Sequence, residues 1–223
     1  MKTFVAAAVV GAGCCGSAWA VVVASYSTQG LSGNAVAWNG VGSAETIALP
    51  AVRGAGLGLG GGFNQFTATG VATTPALDLG LNDYVRFGFT LRQDAGAEYA
   101  VTSFRATCGS FGSGSVGMRY QVWGFFTDQE PFAITAGAAV GSTTLIDVGA
   151  LPGNAIVFPG QTAEIRVYFW GATGTQNGVA FISDGNALTP DVKIGAVPVP
   201  APAGVVVMAG AAGFGLVGVR RRR

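Results

Sequence analysis

Thr162–Trp170 (TAEIRVYFW) alternates without a break: Ala163, Ile165, Val167 and Phe169 fall on one side, Glu164, Arg166, Tyr168 and Trp170 on the other. Alternation of period two marks a strand with one buried face. Asp83–Gln93 (DYVRFGFTLRQ) repeats it, setting Val85, Phe87, Phe89 and Leu91 against Tyr84, Arg86, Gly88 and Thr90. Outward from these two, strands are expected at Phe63–Thr69, Tyr99–Cys108, Val116–Phe126, Thr143–Val148, Val179–Ser183 and Asp191–Val197. Two shorter ones precede them, at Ala35–Asn39 and Glu45–Leu49. Turn residues separate them, as in Leu151-Pro152-Gly153-Asn154, Phe158-Pro159-Gly160 and Ser183-Asp184-Gly185-Asn186. Many short strands and no long amphipathic helix predict an all-β fold, a jelly-roll-like β-sandwich over residues 21–196.

The two ends are of another character. Residues 1–20 have the form of a signal peptide: Lys2, then the uncharged stretch Phe4–Gly13, then Ala18-Trp19-Ala20 as an A-x-A cleavage site. The mature chain is expected to begin at Val21. An uncleaved anchor is the alternative, and small residues before Val21 speak against it. Cys14 follows Gly11-Ala12-Gly13, but a lipobox usually has Leu or a similar residue where Gly11 stands, which argues against lipidation.

Residues 197–223 carry three parts in order. Val197-Pro198-Val199-Pro200-Ala201 is Pro-rich and extended. Ala203–Val219 is seventeen residues without a charge, at the short end of what crosses a bilayer. Arg220, Arg221, Arg222 and Arg223 close the chain as a stop-transfer cluster held on the cytoplasmic side. This order resembles the PEP-CTERM class of C-terminal sorting signals in its VPLPA-type variant. Val197, Pro198, Pro200 and Ala201 match, and Val199 stands where the variant usually carries Leu. The resemblance implies export, an inner-membrane-anchored precursor, and processing by an exosortase, a membrane-embedded cysteine protease-transpeptidase of Gram-negative bacteria. It also implies association with exopolysaccharide or biofilm at the cell surface. A permanent single-span tail anchor is the alternative. Glu164–Ala172, Phe181–Asp184 and the last strand are also similar to the ends of β-sandwich domains common in PEP-CTERM proteins, which bears on fold and implies no activity.

Composition narrows the function further. Of 223 residues, 37 are Gly, 50% are hydrophobic and only 10% are charged, against about 25% in ordinary soluble domains. A net charge of +1 excludes nucleic acid as a partner. The absence of histidine removes Ser-His-Asp and Cys-His nucleophile systems and His-ligated zinc. Without the ends, seven basic residues face eleven acidic ones, a net −4. That balance argues against binding acidic polysaccharide by bulk charge. Cys14 and Cys15 lie in the signal, so Cys108 is alone in the body, and a small buried apolar role suits it better than a reactive thiol or an intermolecular bridge.

No catalytic residue, metal site or cofactor is expected. Two G-x-G-x-x-G matches, at Gly56, Gly58, Gly61 and at Gly112, Gly114, Gly117, run into β-like segments and lack the helix a dinucleotide needs. Asp128 and Glu130 are weighed as a glycoside-cleaving carboxylate pair but read better as a solvated loop before Pro131. Asp184 and Asn186 could help bind calcium, but no D-x-D-x-D loop is present and a turn with Gly185 explains them as well. Aromatics are the better lead: Trp123, and Tyr168 with Trp170 beside Arg166 and Glu164, are candidates for sugar stacking. Their burial as core is the competing reading. The sequence thus points to a structural or interaction protein of the cell surface, with a carbohydrate-binding module as the alternative and a hydrolase a distant third.

Overall fold

The computed structural model of the protein describes residues 20–151, 155–183 and 190–199. The signal residues up to Trp19, Pro200, Ala201, Ala203–Val219, the four terminal arginines, Asp184 and Asn186 lie outside the described residues. Among the described residues no helix is long and apolar enough to cross a membrane.

The described residues form seventeen strands: β1 (Val21–Tyr26), β2 (Ala37–Trp38), β3 (Val41–Gly42), β4 (Thr46–Ala48), β5 (Ala51–Arg53), β6 (Gly58–Leu59), β7 (Gln65–Thr69), β8 (Tyr84–Leu91), β9 (Glu98–Phe111), β10 (Arg119–Phe126), β11 (Phe132–Ala133), β12 (Ala138–Ala139), β13 (Thr144–Val148), β14 (Ile156–Val157), β15 (Thr162–Trp170), β16 (Gly178–Ile182) and β17 (Val192–Val199). They form two antiparallel sheets packed as a β-sandwich. One holds β1, β3, β6, β7, β9, β13, β14, β16 and β17; the other holds β2, β4, β5, β8, β10, β11, β12 and β15. The chain changes sheet at ten of the sixteen connections between these strands, so each sheet is assembled from segments far apart in sequence.

Several short strands are pieces of one interrupted strand. A ladder residue has one partner per edge. Cys108 pairs with both Thr144 and Phe181, and Ala106 with both Ile146 and Val192. Hence β13 takes one edge of β9, and β16 and β17 follow one another along the other. On β8, Thr90 pairs with Ile47 and Thr162, and Arg86 with Val52 and Arg166. β4 and β5 therefore share the edge opposite β15. Their break falls at Leu49-Pro50, where proline offers no N–H to the ladder.

The core follows the alternation. Val85, Phe87, Phe89 and Leu91 of β8 and Ala163, Ile165, Val167 and Phe169 of β15 are all buried. They meet Phe66, Phe104, Phe181 and Ile194 of the other sheet in one cluster. The Tyr26 hydroxyl lies 2.7 Å from the Leu49 carbonyl oxygen and accepts the Gly88 N–H at 3.0 Å, tying the first strand to the opposite sheet. Burial pushes this phenol up to about 12.

β1 is a strand the alternation does not reveal, because its first four residues, Val21–Ala24, are a continuous apolar run. It pairs with β17, with Val21 opposite Ala196. β17 runs past residue 196 to Val199, setting Val197, Pro198 and Val199 opposite Ala100, Tyr99 and Glu98. The sandwich thus extends three residues into the segment read from sequence as the start of the tail.

Candidate functional site: the outer face of the β10–β15–β8 sheet

Side chains that point away from the core on two adjacent strands, β8 and β15, converge on one carboxylate. Glu164 of β15 holds Arg86 of β8 through Nη1 at 3.1 Å and Arg166 through Nη2 at 2.8 Å and Nε at 3.2 Å. The register sets Arg166 directly opposite Arg86, a like-charge pair that would be destabilising by itself. Glu164, bonded to both, neutralises that repulsion. The three side chains are 29%, 23% and 17% exposed for Arg86, Arg166 and Glu164, so the network borders solvent.

Aromatic rings wall it. The Arg166 guanidinium carbon sits 3.9 Å from the centre of the Phe125 ring and 4.7 Å from that of Tyr84, within cation–π range. Tyr84 and Tyr168 are 5.1 Å apart, Phe125 and Tyr168 6.4 Å. Burial lowers the Arg166 pKa, but hydrogen bonds to Glu164 and Tyr168 outweigh it and leave the group above its ordinary value. Burial pushes Tyr168 up, partly offset by Arg166.

The stacking candidates from sequence separate here. Trp123 is half-buried and pairs opposite Arg166. Tyr168 and Trp170 are only 2% and 6% exposed. The bulge between β11 and β12 accounts for Trp170. Its Gly137 lies so near the indole that a Cβ there would meet ring carbons at 2.9 and 3.0 Å. The same bulge takes hydrogen bonds from Gln121 Nε2 to Thr135 O and from Arg119 Nη2 to Gly137 O. What remains open is a tract of Tyr84, Arg86, Trp123, Phe125, Glu164 and Arg166. Tyr84, Arg86 and Phe125 were not singled out from sequence. The outward half of the Asp83–Gln93 alternation contained the first two, but nothing in one sequence says which strand lies beside β15. Two polar atoms of the tract, Arg86 Nε and Trp123 Nε1, are covered and have no hydrogen-bond partner.

No protein-family model matches the chain, and no curated protein matches it in sequence. The tract is therefore read on its chemistry alone.

Elsewhere the glycine motifs lie in or beside strands and turns: Gly58 starts β6 with Gly56 and Gly61 on either side, and Gly114 lies in a 3-10 turn, Ser113–Ser115, between Gly112 and Gly117, before β10. Asp128 and Glu130 are exposed, and Asp128 accepts a hydrogen bond from Gln161 Nε2 at 2.8 Å. Among the described residues no group of three or more metal-ligating side chains occurs. Cys108 is fully buried, and burial pushes its thiol up to about 12. A thiolate is the reactive form. A thiol reagent at pH 8 is therefore expected to leave Cys108 unmodified in the folded protein and to label it once guanidinium unfolds the chain. Labelling of Cys108 in the native protein at the rate of the unfolded chain would overturn this.

Proposed function

We propose that the protein is an exported protein of the cell surface or extracellular matrix, with a structural or interaction role and no catalytic one. In this reading residues 1–20 are a signal peptide cut after Ala20. Val197–Ala201 is the motif taken by an exosortase, Ala203–Val219 anchors the precursor in the inner membrane, and Arg220–Arg223 stop transfer. Exopolysaccharide of the matrix is the partner. One observation carries it: the first strand starts at Val21, the residue after the cleavage site, and Val21 pairs with Ala196, the residue before the motif. The two sorting segments thus adjoin the body at a single rung, with Val197–Val199 of the motif continuing β17 along β9. The alternation of the chain between sheets supports placing the sandwich among jelly-roll-type folds.

The motif begins within β17, so Val197–Val199 must leave β9 before a protease can grip them. Terminal rungs open at low cost, and Pro198 supplies no N–H to hold the strand shut. In a host with the cognate exosortase, intact-mass measurement should find a chain starting at Val21 and lacking the terminal arginines. Replacing Pro198 and Pro200 by alanine should leave export intact and accumulate the membrane-held full-length form. A mature wild-type protein that keeps Arg220–Arg223 would replace sorting by a permanent anchor.

A second reading, a carbohydrate-binding module, is favoured by the tract around Glu164. Half-exposed rings beside polar side chains suit a sugar, which offers C–H faces to the rings and hydroxyls to the charges.

A further inference from the structure

The tract carries a charge that the whole body does not. The body is net −4. Yet the outward-facing strand residues of the β10–β15–β8 face include Arg86, Arg119 and Arg166 against one carboxylate, Glu164. Arg119 is bonded to the Gly137 carbonyl, which leaves its charge uncompensated. Arg86 and Arg166 share a single negative charge. The face is therefore cationic on an acidic domain. Its charge is carried by guanidiniums; Arg166 commits Nε and Nη2 and Arg86 commits Nη1 to Glu164, so Arg166 Nη1 and Arg86 Nη2 are the groups for a charge-assisted bond to a ligand carboxylate. Both already hold the planar Glu164 carboxylate, and both keep side-chain surface in contact with solvent. Rings lie among them: Phe125 and Tyr84 flank Arg166, and Trp123 is opposite it. Arg119 is four residues along β10 from Trp123, about 13 Å at the rise of a strand. Between them Gln121 is tied to Thr135 and Trp170 lies under Gly137, so Arg119 adds to the charge of the face while the open tract is the patch around Glu164.

From this juxtaposition we infer that the face binds an acidic polysaccharide whose sugars carry carboxylates, a uronate chain. This rests on the carbohydrate-binding reading above and names its ligand class. Arg86 and Arg166 meet the carboxylate while Tyr84, Phe125 and Trp123 meet the sugar faces. Local charge at the face, not net charge, provides the attraction, and it is effective at short range because a Debye length in physiological salt is about 8 Å.

The test is titration of the full chain, purified in detergent, with oligogalacturonate, its methyl ester and a sulfated galactan of equal length. The methyl ester keeps the ring and removes the charge. The uronate should bind at least about tenfold tighter than the ester, the scale of one charge-assisted hydrogen bond, and weaken as salt rises. Arg86→Gln should lose most of that preference while Arg86→Lys keeps part of it. Each variant's melting temperature should be compared with wild type, so that a folding defect is separated from lost binding. The wild-type comparison of acid with ester decides the matter even if a variant fails to fold. Equal binding of acid and ester overturns the ligand class and leaves the sugar-binding reading standing. Binding of neither overturns both. Uronate binding that Arg86→Gln leaves unchanged overturns the assignment to this face, and equal affinity for the sulfated chain overturns carboxylate recognition.

Discussion

Phe87→Ala is expected to destabilise the protein by about 3–5 kcal/mol, the range for removing a buried phenylalanine, and to be the most damaging single truncation. Phe87 lies on β8 of one sheet, and its ring meets Phe104 at 5.8 Å, Phe181 at 5.1 Å and Tyr26 at 5.3 Å on the other, with Trp38 at 5.9 Å beside it. Four aromatic neighbours are too rigid to close a cavity of that size, so the loss includes a void as well as transfer free energy. Phe87→Leu refills most of the volume and should lose less than half as much. Urea denaturation of both variants measures the difference; a Phe87→Ala loss below about 1.5 kcal/mol would mean that the sheets re-pack around the gap.

Arg53→Met is expected to lose about 2–4 kcal/mol, from buried carbonyls left without a donor at about 1–3 kcal/mol each. Arg53 ends β5 facing inward. Its Nη1 and Nη2 donate to Ala35 O at 2.7 Å and Gly33 O at 2.8 Å, and Nε donates to Thr67 O. The guanidinium carbon lies 3.9 Å above the Phe66 ring. Burial pushes the group down to about 10, still charged at neutral pH. Thus one side chain joins the 33–35 segment to β7 of the opposite sheet. Gly33 O also accepts from Thr67 Oγ1, so Ala35 and Thr67 carry most of the loss. Arg53→Lys retains the charge but lacks the fork, and should recover less than half of the stability in chemical denaturation. Full recovery by lysine would show that charge over Phe66, and not the three-way hydrogen bonding, is what matters.

Legibility from sequence followed packing. β15 is observed at Thr162–Trp170, the residues its alternation marks, because it is a central strand with one face in the core and must alternate. β8 ends two residues early at Leu91, where the chain turns at Arg92. β9 runs beyond Cys108 to Phe111, since Gly109 and Ser110 are held by pairing with β16. Small polar residues give no hydrophobic period to read. β5 and β14 are short pieces completed by distant partners and were not expected. At the tract, the outward positions of β15 were legible, but their exposure was not. Whether Trp170 faces water depends on Gly137, over thirty residues away, bending across it.

β17 lies between β1 and β9 and runs toward the tail along its own axis. In the proposed precursor, with the tail holding the body to a membrane and the proposed ligand on the opposite sheet, tension would enter through the end of this strand. It acts parallel to the ladder, so the rungs to both neighbours are sheared together. A terminal strand drawn out sideways would yield one rung at a time. Beyond Ala196, β1 gives no further pairing, so the last three residues bear force against β9 alone. They loosen first, but being already extended along the line of force they add little length, and the body's lifetime under tension is set by the rate at which the remaining rungs shear.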